Sequence, residues 1–186
     1  MKPWRRLGRR RILRCGIFDL DQAEYAPPDD GVSREFYVIE APDWINVIPL
    51  TDDRQVLLVR QYRFGIADHT LEIPGGMCDP GESPMEAAAR ELREETGHAA
   101  EELIELGWVH PNPPIQNNRC FTYLAPRIRR VAEPTPDPSE RIEVVSVPLA
   151  EIPNLVRQGA ITHALVLAAF HLLDGSDRWE SVVCTR

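Results

Sequence analysis

One segment constrains this chain more than any other. Ser83 is a good helix N-cap, Pro84 suits the first helical position, Glu86 completes a capping box with Ser83, and Gly97 stands where a C-cap glycine belongs. The spacing predicts a helix over 84–96. On that helix Glu91, Glu94 and Glu95 fall at i, i+3 and i+4, so the three carboxylates leave one face within roughly 6 Å of one another. Like charges so crowded either form a solvated face or await a cation.

Around the helix the pattern alternates strand and helix without repeats. Residues 11–25 and 33–41 suit two strands joined by the turn chemistry of Ala26-Pro27-Pro28-Asp29-Asp30-Gly31, a hairpin. Residues 44–50 and 55–62 are apolar runs, and the unbroken Val56-Leu57-Leu58-Val59 predicts a central strand buried on both faces. Further strands are expected near 103–109, 119–125 and 142–147, then helices near 149–158 and 163–173, the last ended by Gly175. Pro134-Thr135-Pro136-Asp137-Pro138 reads as a rigid loop, and the polar, proline-rich stretch 110–120 as a well-fixed loop near a substrate.

Composition narrows the chemistry. At 186 residues and 43% apolar content, one compact domain with a sizeable core is expected. Lys2 is the only lysine, which excludes a P-loop, a pyridoxal Schiff base and a kinase-type lysine. A net charge of −8 argues against a nucleic-acid partner. No window reaches the roughly 20 apolar residues of a membrane span, and the N-terminus lacks the apolar run of a signal peptide, so no membrane partner and a cytoplasmic location are expected. Cys15, Cys78, Cys120 and Cys184 stand far apart and read as reduced, mostly packed thiols. Seven positive charges in residues 2–14 read either as a partly mobile arm leading into the first strand or as a contact for an acidic partner.

The helix belongs to a longer pattern: Gly76, five residues, Glu82, seven residues, then Arg90-Glu91-Leu92-Arg93-Glu94-Glu95-Thr96-Gly97. This resembles the box of the Nudix hydrolases. The resemblance implies an α/β fold, an α/β/α sandwich with a mixed central sheet, here with an N-terminal β-hairpin extension. Residues 1–41 would form the N-terminal strands and 42–186 the hydrolase domain. The family usually places an aliphatic residue after the last glycine; here it is His98, expected to pack the helix end.

Physics and resemblance meet at the carboxylates. Mg²⁺ favours such hard oxygen ligands and keeps waters for substrate phosphates, with Mn²⁺ as a substitute. Glu91, Glu94 and Glu95 are the expected metal ligands. By resemblance Glu82 serves an outer or additional ion, the carbonyl of Gly75 or Gly76 completes the shell, and Arg90 holds the glutamates by hydrogen bonds.

The segments Val56-Leu57-Leu58-Val59-Arg60-Gln61-Tyr62-Arg63 and Leu71-Glu72-Ile73-Pro74-Gly75-Gly76 look like the ADP-ribose pyrophosphatase and nucleoside-diphosphate-sugar hydrolase branch. That branch implies Arg63 and Arg60 at the phosphates or distal sugar, a homodimer built through the N-terminal strands, and a catalytic base on a loop after the box. Glu140 is the expected base, with Glu91, Glu133 and Asp137 as rivals and Glu143 as a structural partner. Trp44, Tyr37 and Tyr62 either stack a nucleobase or pack in the core, and Glu72 binds a polar substrate group or pairs with an arginine. The expected reaction is Mg²⁺-dependent hydrolysis of a nucleotide-sugar diphosphate; the alternatives are a nucleoside triphosphate pyrophosphatase and a non-catalytic nucleotide-sugar sensor.

Overall fold

The structure is a computed structural model and describes residues 1–29, 31–138 and 140–178; Cys184 lies outside them. The backbone groups into two units, Met1–Pro42 with His110–Arg119, and Asp43–Val109 with the chain from Cys120 onward.

The first unit is a three-stranded antiparallel sheet in the order β1 (Arg5–Arg14), β2 (Asp19–Ala26), β3 (Arg34–Glu40). Two corrections follow. The basic segment is not an arm before a strand: it is most of β1, and the expected hairpin is a three-stranded meander. The reason is charge pairing across the sheet. Asp21 on β2 is 1% exposed and accepts from both Arg9 and Arg11, while Arg9 also meets Glu40 at 2.6 Å and Arg10 donates to Gln22 at 2.7 Å. Those hydrogen bonds hold the Asp21 carboxyl below its ordinary range against the opposing effect of burial. Gly16, at φ +78°, turns the chain between β1 and β2 and leaves Cys15 exposed rather than packed. The loop 110–119 is tied to the end of β3: Ile39 N–H donates to Ile115 at 2.7 Å and Asn117 Nδ2 to Glu40 at 2.6 Å.

The second unit holds β4 (Trp44–Pro49), β5 (Gln55–Arg63), β6 (Asp68–Glu72), β7 (Gly75–Met77), α1 (Pro84–Thr96), β8 (His98–Ala100), β9 (Ile104–Val109), β10 (Cys120–Ala125), β11 (Ile128–Arg130), β12 (Ile142–Pro148), α2 (Ile152–Arg157) and α3 (Ala164–Asp174). One sheet runs β7-β4-β10-β9, with β4 and β10 parallel and the other pairs antiparallel; a second runs β12-β5-β6, and β8 pairs with β11.

Period-two alternation divides the core. Ile45 and Val47 of β4 join Phe121, Tyr123 and Leu57 beneath Ala87, Ala88 and Leu92 of α1. Ile48, Leu58 and Leu124 point the other way, onto Ile152, Val166, Ala169 and Leu173. This is the expected α/β/α sandwich around mixed sheet. Val56, Leu57, Leu58 and Val59 are all buried, as a strand covered on both faces requires; each such side chain contributes about 1.5–3 kcal/mol of burial. The short β6, β7, β8 and β11 are additions to the expected order. Gly175 ends α3 as expected, at φ −79°.

Candidate active site

Local chemistry sets the frame of α1. Ser83 Oγ accepts from Glu86 N–H, Glu86 reaches back to the Ser83 N–H at 2.9 Å, and Gly97 takes φ +72° with its N–H on the Arg93 carbonyl at 2.8 Å. Gly97 is glycine for a second reason: a Cβ there would strike the Ala132 carbonyl. With both ends pinned, the directions of Glu91, Glu94 and Glu95 are determined.

The loop facing those carboxylates is built for close approach. A Cβ on Gly75 would run into the Ile45 carbonyl, and a Cβ on Gly76 into the Glu91 carboxylate itself. Glu95 is 1% exposed and accepts from Gly75 N–H at 3.0 Å. Burial, with the neighbouring Glu91 charge second, pushes its carboxyl well above the ordinary carboxylate range, and burial also raises Glu91. Arg90 works against that repulsion. It forks onto Glu82 through Nε and Nη2, both at 2.9 Å, and Nη1 reaches Glu91 at 2.8 Å and Glu94 at 3.1 Å. Nη2 also donates to the Met77 carbonyl at 3.0 Å, tying helix to loop. Arg90 thereby holds Glu82 below its ordinary range.

Among the described residues no three His, Cys, Asp or Glu side chains are already gathered as a metal cage; Glu82, Glu91 and Glu94 are spread over one guanidinium. The donor set nonetheless fits a hard divalent cation. It has all-oxygen ligands, a buried carboxylate that accepts from a backbone N–H, and a glycine cradle that a side chain at position 76 would fill.

A second constellation sits on β5 and β6. Arg63 forks onto Glu72 with Nε and Nη2 at 2.7 Å each, and Thr70 Oγ1 also donates to Glu72. Burial disfavours the Glu72 charge, but the Arg63 and Thr70 hydrogen bonds prevail and the carboxyl lies below its ordinary range. Arg63 in turn feels the charges of Glu95 and Glu140. The charge of Glu140 adds a small upward push on both Glu91 and Glu95, while its own carboxylate accepts from the Asp137 N–H at 3.3 Å. Its loop is fastened to α1 by Thr135 N–H on the Glu94 carbonyl at 2.7 Å and Ala132 N–H on that of Gly97 at 3.1 Å.

Arg60 does not join this group. Three residues from Arg63 on a strand, it lies on the opposite face of β5 and pairs with Glu143 at 3.2 Å. Trp44 is half-buried at the head of β4, in register with Met77 and Cys120. Tyr62 is exposed, edge-on to Phe64 and His69, and Tyr37 is exposed on β3. His98 pairs through Nδ1 with the Thr96 carbonyl at 2.8 Å, as a helix-end residue does. Sequence reasoning missed His163, whose buried Nδ1 has no hydrogen-bond partner among the described residues and whose surroundings include the charges of Glu72 and Arg63. It also missed Thr70. Nothing in the local pattern around either residue signals its place beside Glu72.

The NUDIX domain family matches residues 42–170. The chain belongs to the Nudix family. This Nudix chain is 26% identical over 168 residues to the ADP-ribose pyrophosphatase of Bacillus subtilis (strain 168), covering 90% of each. To the ADP-ribose pyrophosphatase of Mycobacterium tuberculosis (strain ATCC 25618 / H37Rv) it is 31% identical over 155 residues, 82% of this chain and 74% of the relative. Its fold superposes on a crystal structure of an ADP compounds hydrolase with a TM-score of 0.84 at 24% identity, covering 97% of this chain and 96% of the other.

Proposed function

We propose that this Nudix protein hydrolyses the diphosphate linkage of ADP-ribose, or of a related nucleoside diphosphate sugar, to a nucleoside monophosphate and a sugar phosphate. The observation that carries the reading is the mutually repelling pair of half-buried Glu91 and buried Glu95 against the Gly75-Gly76 backbone, with the Arg63 charge near enough to act on Glu95. The names borne by the relatives point to the same substrate class.

Glu91, Glu94 and Glu95, with Glu82 outside them and the Gly76 carbonyl beside them, would hold Mg²⁺ or Mn²⁺. When bound, the ion supplies charge neutralisation and Lewis acidity at the diphosphate. The protein's own groups do the rest. Arg90 keeps the glutamates oriented between loop and helix. Arg63, immobilised by Glu72, presents a fixed cation to a phosphate oxygen. Glu140 accepts a proton from the water that attacks phosphorus, the anhydride P–O bond breaks, and the leaving phosphate departs as a monoester. Trp44 offers a ring for the base.

The same proposal includes a homodimer formed through the sheet of β1, β2 and β3, whose outer strand exposes Leu7, Ile12 and Leu13. It also includes a cytoplasmic setting, in keeping with the free Cys15, Cys78 and Cys120; no described helix is long and apolar enough to cross a membrane.

The test is a screen of purified protein, with Mg²⁺ and with chelator, against ADP-ribose, GDP-mannose, UDP-glucose, dinucleoside polyphosphates and nucleoside triphosphates, with products read by mass. AMP and ribose 5-phosphate from ADP-ribose, only with metal, are expected. Inorganic pyrophosphate from triphosphates alone, or binding without turnover, overturns the reading.

A further inference from the structure

Strand parity sends Arg60 away from the box, and it opens onto a different feature. On β5, Gln61 and Arg63 share the face of Glu72, whereas Arg60 and Tyr62 occupy the other. Across the sheet Arg60 is in register with Glu143 of β12, and Tyr62 with His69 of β6. Here lies an open surface groove of about 570 Å³ lined by Arg60, His69, Arg141, Ile142 and Glu143.

We propose that this groove is a second site, and that it binds a nucleoside monophosphate. Its lining sets two guanidinium groups and an imidazole against a single carboxylate, on a chain whose net charge is −8. The Arg60–Glu143 pair is half exposed on both sides, 49% and 64%, and such pairs are worth no more than about 1 kcal/mol. A phosphate dianion offers Arg60 a stronger, bidentate partner. Arg141 is held in advance, since its Nη1 donates to the Pro138 and Glu140 carbonyls at 3.0 and 2.9 Å. The ligand also meets a ring. His69 is braced edge-on by Tyr62 at 5.4 Å, and Tyr62 by Phe64 at 5.3 Å. The braced His69 ring offers a face on which a base stacks. One carboxylate among three basic groups suits a dianion, and the groove lining lacks the carboxylate cluster that the box offers a metal-bound diphosphate.

The choice of AMP as probe rests on the proposed reaction; the site itself does not. Calorimetry of the full chain in chelator measures AMP, ribose 5-phosphate and inorganic phosphate against the parent, Arg63→Gln, His69→Ala and the double variant Arg60→Gln/Arg141→Gln. The expected result is AMP binding that Arg63→Gln leaves within two-fold and the double variant weakens at least ten-fold. His69→Ala should weaken AMP but not inorganic phosphate, and AMP should bind at least five-fold tighter than either other ligand in the parent. Because His69 is an exposed strand residue, its variant keeps the test valid should the double variant fail to fold. Absence of AMP binding to the parent, loss of it in Arg63→Gln alone, indifference to the double variant, or equal affinity for inorganic phosphate overturns the site. A protein that binds AMP in this way yet leaves ADP-ribose intact overturns the proposed reaction and not this inference.

Discussion

Replacing Glu95 by Gln should raise the melting temperature of the metal-free protein while removing its activity. Glu95 is 1% exposed, accepts one backbone hydrogen bond, from Gly75 at 3.0 Å, and lies beside the charge of Glu91. Its carboxyl is therefore harder to ionise in the folded chain than in the unfolded one. The sign follows from linkage: a carboxyl raised on folding favours the native state fully below its unfolded pKa, and that contribution is lost as pH rises through the folded value. At neutral pH each unit of elevation costs the folded state about 1.4 kcal/mol, and for a chain of this size that corresponds to ~3–6 °C. Gln keeps an oxygen for the Gly75 N–H and offers its amide to the Glu91 carboxylate, so the exchange removes the charge without orphaning a donor. Differential scanning calorimetry in chelator at pH 5 and pH 8 is the assay. Glu95→Gln should gain at least ~3 °C over the parent at pH 8 and less at pH 5. Added Mg²⁺ should then raise the parent's melting temperature more than the variant's. A lower melting temperature for Glu95→Gln at pH 8 would refute the reasoning, because it would mean the carboxylate is compensated in the folded state.

Glu94→Gln should lower kcat by at least ~10²-fold, about 3 kcal/mol of transition-state stabilisation, with circular dichroism unchanged; near-parent turnover at saturating Mg²⁺ removes it from the site. Glu140→Gln should cost about 10² to 10⁴ in kcat while leaving the Mg²⁺ midpoint unmoved, whereas Glu91→Gln should shift that midpoint upward as well, and parent rates for Glu140→Gln from pH 6 to 9 would transfer the base to the box. Gly97→Ala should destabilise by more than ~1 kcal/mol, or at least ~2–4 °C, since it meets both a φ of +72° and the Ala132 carbonyl; an unchanged melting temperature in a thermal scan would contradict this. Light scattering at micromolar concentration should return a dimer mass, and a fully active monomer would end that part of the proposal.

What could be read in advance was what local chemistry decides. The limits of α1 rest on Ser83, Pro84, Glu86 and Gly97, all within one stretch of chain, and the i, i+3, i+4 spacing of Glu91, Glu94 and Glu95 follows from helix geometry alone. The double-sided burial of β5 was legible for the same reason, an unbroken apolar run. Short elements such as β7 and β8 were not, because Gly75, Gly76, Ala99 and Ala100 carry no pattern of their own and become strands only by pairing with β4 and β11. The arginine-rich β1 is a strand because Arg9 and Arg11 pair with Asp19, Asp21 and Glu40 on the neighbouring strands, partners that only the sheet supplies.

The site divides along the same line. Residue types and spacing determined that this chain carries a helix of self-repelling carboxylates behind a glycine loop, because those features lie within about twenty residues of one another. Tertiary structure decided which distant groups face them. Arg63 and Glu72 became one fork because β5 and β6 pair in a register that places both side chains on one face, while Arg60 was turned to the other by the two-residue period of a strand. The loop that carries Glu140 is held near the end of α1 by backbone bonds of Ala132 and Thr135. Such pairings, whether nine residues apart as in Arg63–Glu72 or eighty-three as in Arg60–Glu143, depend on strand register, and no periodicity within the separate segments encodes them.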